Sequence, residues 1–177
     1  KEYLPEYETK MSFKDTSVKF TKSKSDQILE LDGLIKSNDQ FNSFKIKENY
    51  NYNKKKFNIA CAADLTNYRV NISRLNYKKD HGIKSELNFD ISFILNKHYY
   101  IKDLKYKADK TKIYLSNIKL NKNFETLNFE KLEVKTFLNE LKNNDFLVNK
   151  TDKVIISGEI FDAKPILKSL FKKNEKR

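Results

Sequence analysis

At 177 residues the chain has room for one domain, and its 10 Tyr and 13 Phe exclude an unfolded segment despite a mean hydropathy of -0.77. The net charge of +12 would suit nucleic acid, but arginine occurs only at Arg69, Arg74 and Arg177, and the lysines mostly alternate with apolar residues as solvated strand faces. No nucleic-acid partner is therefore expected, although anionic lipid head groups would attract the same lysines. The lone Cys61 excludes an internal disulfide, and no run approaches the ~18 apolar residues of a membrane span.

Residues 1–10 are irregular around Pro5 and read as an entering connection. A β-meander is then expected over residues 11–160. Met11 to Phe20 reads as a strand of mixed parity. Gln27 to Lys36 sets Leu29, Leu31 and Ile35 on one side, with Gly33 a candidate bulge or close-approach point. Phe44, Ile46, Tyr50 and Tyr52 alternate with Lys45, Lys47, Asn49 and Asn51.

The two cleanest alternating runs follow. In Phe57 to Leu65 the residues Phe57, Ile59, Cys61, Ala63 and Leu65 share a parity, while Ala60 and Ala62 make the other side small. In Glu86 to Leu95 the residues Leu87, Phe89, Ile91, Phe93 and Leu95 oppose Glu86, Asn88, Asp90 and Ser92. Both are half-buried strands. Between them Tyr68, Val70 and Ile72 slip by one to Leu75 and Tyr77, as a β-bulge would do, and Lys78 to Gly82 turns the chain.

Tyr99 to Ala108, Thr111 to Leu120 and Phe124 to Val134 continue the alternation with interruptions. Phe137 to Leu141 reads as strand end or loop. Asp145 to Val148 pairs with Val154 to Ile160 across Asn149 to Lys153. With 3 Gly and 2 Pro in the chain, turns fall to Asn, Asp and Lys. Their spacing of 8 to 12 residues, with no crossover helices, predicts an all-β antiparallel topology. The period then changes: Ala163, Ile166, Leu167, Leu170 and Phe171 form one face of a helix over residues 162–173. Asp162 is its N-cap, Pro165 lies in its first turn and Phe161 can staple onto Ile166. A basic tail, 174–177, ends the chain.

Burying the five apolar side chains of Glu86 to Leu95 would contribute about 7–15 kcal/mol, so something must cover that face. Protein or ligand can do so. The residues alone leave two coverings open: a β-sandwich closed on itself, serving as a surface, adhesion or polyanion-binding module, and an open sheet with an oily trough.

Catalytic chemistry finds no foothold. His81 and His98 lack ligand neighbours at metal spacing, and there is no phosphate loop or nucleophile motif. Asp64, Asp90, Asp103 and Asp162 are explained by a turn, a wet strand face or a cap. Cys61 reads as a small core residue. No catalytic residue, cofactor or metal is expected.

Two segments carry a resemblance. Ala63 to Ile72 (ADLTNYRVNI), with Leu75-Asn76-Tyr77-Lys78-Lys79 and Gly82, resembles a stretch of the AsmA-like envelope proteins, the superfamily of AsmA, TamB and YhdP. Asn144 to Val148 (NDFLV) and Ile155 to Leu167 (IISGEIFDAKPIL) are similar to that group's closing segment. The resemblance spans roughly Phe57 to Leu170. It implies a long curved antiparallel sheet forming a U-shaped hydrophobic groove, and makes the chain a C-terminal portion of one such domain within a longer protein.

What the resemblance implies in function is a non-catalytic, bridge-like lipid-transfer segment of a Gram-negative cell envelope. It would be anchored in the inner membrane through a region outside this chain, would lie in the periplasm, and would conduct phospholipids to the outer membrane. Its expected partners are phospholipid acyl chains, neighbouring β-groove segments of the same chain and, through other segments, the envelope membranes. The groove residues would be Phe57, Ile59, Cys61, Ala63, Leu65, Leu87, Phe89, Ile91, Phe93 and Leu95. Small Cys61 and Ala63 would leave space for acyl chains.

Overall fold

The computed structural model describes residues 12–37, 40–95 and 97–165. Its strands are β1 (Phe13–Lys22), β2 (Asp26–Ser37), β3 (Gln40–Asn51), β4 (Lys56–Asp64), β5 (Val70–Ile72), β6 (Tyr77–Lys79), β7 (Ser85–Ile94), β8 (Tyr99–Ala108), β9 (Thr111–Leu120), β10 (Thr126–Asn128), β11 (Lys131–Leu138), β12 (Leu141–Lys150) and β13 (Val154–Ile160). All but β5 and β6 belong to one antiparallel sheet in the order β1-β2-β3-β4-β7-β8-β9-β11-β12-β13, with β10 alongside the end of β9. The protein is mainly β, as its alternation predicts. Each long strand lies beside the one before it, because connections of a few residues can only return the chain antiparallel to itself.

Residues other than glycine make the hairpin turns. Asn139 and Glu140 both take positive φ, 49° and 66°, as a two-residue primed hairpin turn demands, and join β11 to β12. The stretch Phe137 to Leu141 is therefore strand, turn and strand. Asp15, at φ 48°, makes a bulge that shifts the β1–β2 register between Lys14 and Ser17. That extra residue brings Phe13 onto the same side as Val18 and Phe20, which accounts for the mixed parity of this strand. Gly33 is a close-approach point rather than a bulge, since a Cβ there would lie 2.8 Å from the Thr16 Cα.

A second irregularity crosses two strands. On β8 the apolar side changes from Tyr99 and Ile101 to Leu104, Tyr106 and Ala108. On β9 it changes from Ile113 and Leu115 to Ile118 and Leu120. The β8–β9 register is the same before and after, so both strands switch together around Lys102 and Asn117, the latter at φ 49°.

Residues 65–84 leave the sheet and fold as a flap over its apolar face. The expected single bulged strand through Tyr68 to Tyr77 is instead two three-residue strands, β5 and β6. They are joined by a 3-10 turn, Ser73–Leu75, and by Asn76 in the left-handed region. Leu65, Tyr68, Val70 and Tyr77 pack from the flap onto Tyr106, Ala108 and Ile113 of the sheet. Val134, Phe146 and Val148 form an adjoining cluster that also touches Leu75. The larger buried cluster thus lies under the flap, while Ile118, Leu120 and Val148 are buried toward the other end of β9 and β12.

Beyond Asp162 the chain enters helical backbone at Lys164 and Pro165. The Lys164 amide donates to Asp162 Oδ1 at 3.0 Å, as an N-cap requires. The helix expected over 162–173 is not shown: from residue 166 onward, the tail 174–177 included, the chain lies outside the described residues, as does the entering connection 1–10. A U-shaped groove is not evident from the pairing alone.

Gly158 faces a register shift between Asp145 and Phe146 at φ 155°; a Cβ there would collide with the Asp145 carbonyl oxygen and stand 2.6 Å from the Phe146 Cα. Gly158→Ala should therefore lower stability by about 2–3 kcal/mol in urea unfolding. Gly82→Ala, at φ 78° but with open space around it, should lower it by about 1 kcal/mol.

Candidate functional site

Register assembles the apolar face. Across β4 and β7, Phe57 pairs with Phe93, Ile59 with Ile91, Cys61 with Phe89 and Ala63 with Leu87. These eight of the ten residues singled out in the sequence share one side of two adjacent strands, and all are half-buried. Three of these rows continue onto β3 through Tyr50, Ile46 and Phe44, while the Ile59 row meets Glu48; on β8 all four continue, through Tyr99, Ile101, Leu104 and Tyr106. Leu65 and Leu95 differ. Leu65 lies just past β4, as the first residue of the flap, and is buried, while Leu95 sits in the turn after β7 and is 61% exposed. Burial pushes the Cys61 thiol up, away from the thiolate a nucleophile needs.

At the end of the sheet away from the flap, aromatic rings form a continuous row. Centroid separations are 5.2 Å for Tyr52–Tyr50, 4.4 Å for Tyr50–Phe57, 5.0 Å for Phe57–Phe93, 5.0 Å for Phe93–Tyr99 and 4.4 Å for Tyr99–Phe124. Each ring stands at or near a strand end, so the row runs across the strands as a belt. The sequence reading named Phe57 and Phe93 as site residues and omitted Tyr50, Tyr52, Tyr99 and Phe124. A signal was present: aromatic residues cluster beside the turns at 52–55, 95–98 and 121–125.

The flap end is built differently, from buried polar groups. Asp64 Oδ1 accepts from the Thr66 amide at 2.8 Å, turning the chain out of β4. Lys79 is 3% exposed, and its ammonium donates to the carbonyl oxygens of Leu65, Thr66, Asp80 and Ile83 at 2.9 to 3.2 Å. Desolvation lowers its pKa, opposed by Asp64 and Asp80. This one side chain therefore ties the outgoing and returning limbs of the flap.

The tip of the flap is held by the second motif segment. The fully buried Asn144 donates to the Leu75 carbonyl at 2.8 Å and to Thr136 Oγ1 at 2.9 Å, and its Oδ1 accepts from the Asp162 amide at 3.0 Å. Asn143 donates to the Leu75 and Asn76 carbonyls at 3.2 Å, and Asn76 donates to Asp162 Oδ2 at 2.9 Å. The two segments that carry the resemblance thus meet as flap and clamp. The Asn76 amide holds the Asp162 carboxyl below its ordinary value.

The opposite face is polar, and part of its charge is paired. Lys47 pairs with Glu30 at 2.7 Å, Lys112 with Glu133 at 2.7 Å and Lys107 with Glu86 at 3.4 Å. Depressions of about 540 and 930 Å3 indent this face around Ala60, Ala62 and Asn88, between lysines and carboxylates. Among the described residues no cluster of three or more His, Cys, Asp or Glu side chains is placed to hold a metal ion. No family model, curated protein or solved structure matches the chain.

Lys79→Met should cost about 2–4 kcal/mol in denaturant unfolding, because buried carbonyls lose a charged donor, whereas Lys78→Met on the exposed side should stay within about 0.5 kcal/mol. A carboxylate whose folded pKa is depressed stabilises above its unfolded value of ~3.9 and loses that contribution as pH falls through the folded one. Asp162→Asn should accordingly be destabilising at pH 7, by a margin that shrinks as pH falls below ~3.9, read as unfolding midpoints.

Proposed function

We propose that this chain is a non-catalytic lipid-binding segment whose apolar sheet face carries acyl chains. One observation carries the reading: a largely apolar face across β3, β4, β7 and β8, broken on β3 by Glu48 opposite Ile59, is roofed by protein at the flap end and half-buried elsewhere. Hydrocarbon laid on Ile59, Cys61, Phe89 and Ile91 would remove their remaining surface from water, worth on the order of 1 kcal/mol for each large side chain. The polar face keeps the assembly wetted while the cargo lies on the other side. On the reading drawn from the two motif segments, the cargo is a phospholipid and the setting is the periplasm between inner and outer membranes. The anchor and neighbouring groove segments then belong to regions outside this chain.

The alternative, a closed sandwich acting in adhesion or polyanion binding, has less behind it. Among the described residues the only other sheet is the short β5–β6 pair. Lys47, Lys107 and Lys112 of the polar face already have carboxylate partners, which removes those three from any polyanion contact.

Native mass spectrometry of the purified chain should capture phospholipid, and photo-crosslinkers at Ile91 and Phe93 should label it. Ile91→Asp should cut captured lipid at least tenfold while circular dichroism still reports a folded β protein. Unfolding by that one charge, together with no lipid on the wild type, would return Ile91 to a sealed core.

A further inference from the structure

The geometry points to the rim beyond the aromatic row as a docking surface for a bilayer with anionic head groups. Five connections meet at this end: residues 23–25, 52–55, 95–98, 121–125 and 151–153. They present Lys24, Lys54, Lys55, Lys97, Lys122 and Lys153, all exposed, against the acids Glu125 and Asp152, with Asp26 at the start of β2. The Asp26 carboxylate is occupied by Ser25 and Asn51, and Glu125 by Asn121. At the other end the hairpin turns Asp109-Lys110 and Asn139-Glu140 carry one cation and two acids, with Lys110 and Glu140 paired at 3.4 Å, while the flap adds Arg69, Arg74, Lys78, Lys79 and Lys84 against Asp80. Charge makes the rim cationic without setting it apart from the flap end; the aromatic row sets it apart.

Charge complementarity alone would fit any polyanion. The apolar residues at the same rim select a membrane. Leu95 and Phe124 are 61% and 62% exposed, and both occupy connections that also bear lysines. Just inside them runs the Tyr52–Tyr50–Phe57–Phe93–Tyr99–Phe124 row, with Lys22 lying 5.9 Å over the Tyr52 ring. Lysines and aromatic rings together at one rim are the side chains enriched at a lipid–water interface. Lysines reach phosphate, Leu95 and Phe124 enter the acyl boundary, and the rest of the row lies behind them.

This assignment rests on the acyl-chain reading of the face and extends it. A seated rim would bring the open end of the face against membrane hydrocarbon, with the flap at the far end. Acyl chains would then pass the aromatic belt first.

Vesicle flotation of the intact chain tests it. Vesicles of phosphatidylcholine with 30% phosphatidylglycerol should bind the protein at least tenfold better than pure phosphatidylcholine, and most of that advantage should vanish at high salt. Reversal of three rim lysines, K54E/K55E/K97E, should abolish flotation. Reversal of three at the flap end, K78E/K84E/K110E, changes net charge equally and should leave most of it. L95S/F124S should weaken it about tenfold while heparin retention is unchanged.

Equal loss from both lysine sets, no flotation by wild type, or insensitivity to L95S/F124S would overturn the rim assignment. The two readings separate in Ile91→Asp, which should lose captured lipid and keep flotation. Flotation with no lipid ever captured would leave the rim standing and remove the acyl-chain face. Lipid captured from detergent micelles without flotation would do the reverse.

Discussion

A single-layer sheet with one oily side cannot cover itself, and that constraint organises the molecule. Strand alternation commits every second residue to one face, and unbroken antiparallel pairing adds the apolar residues of each strand to those of the last. Where a β-strand must accommodate an extra residue, at Asp15 or around Lys102 and Asn117, the register on either side still returns the apolar side chains to the common face. Burial is then a question of what lies above the sheet. The chain provides a partial answer in residues 65–84.

The two ends of the strands divide the work. At one end buried amides and a buried ammonium hold the flap: Lys79 gathers four carbonyls, and Asn143, Asn144 and Asp162 grip the turn at Leu75 and Asn76. Such networks are expensive to leave half-satisfied, which makes the closure a defined geometry rather than a loose covering. At the other end the stabilising contacts are ring on ring, between neighbouring strands, with polar turns beyond. Rigid closure and accessible hydrocarbon thus occupy opposite ends of one surface.

Much of the sheet was legible in the amino-acid order, because period-two alternation between turn residues survives the absence of glycine. Tyr99–Ala108 and Thr111–Leu120 could be read to their boundaries. Pairings such as Ile59 with Ile91 follow only once register is known. The flap was not legible: Tyr68 to Tyr77 alternates as a strand would, and its reversal depends on a 3-10 turn and on Asn76 adopting positive φ. Lys79 was hidden for a related reason. It looks the same as Lys78 in composition, and only its shared parity with Tyr77 hints that it points inward. The aromatic row was visible as residue types beside turns and invisible as a row, since its members are far apart in sequence. The clamp fell between these cases; Asn143 and Asn144 are turn-forming residue types that sit inside β12 and serve as a tertiary bracket.

The two outermost strands have a consequence for length. β1 and β13 each have one hydrogen-bonded neighbour among the described residues, and their side chains are exposed throughout. Neighbouring strands stand ~4.8 Å apart, so each added hairpin would widen such a ribbon by roughly 10 Å without disturbing the pairing already made. Span becomes a quantity set in whole hairpins. The Asp15 kink on one border limits uncontrolled lateral growth, leaving extension to strands that match its irregular outline.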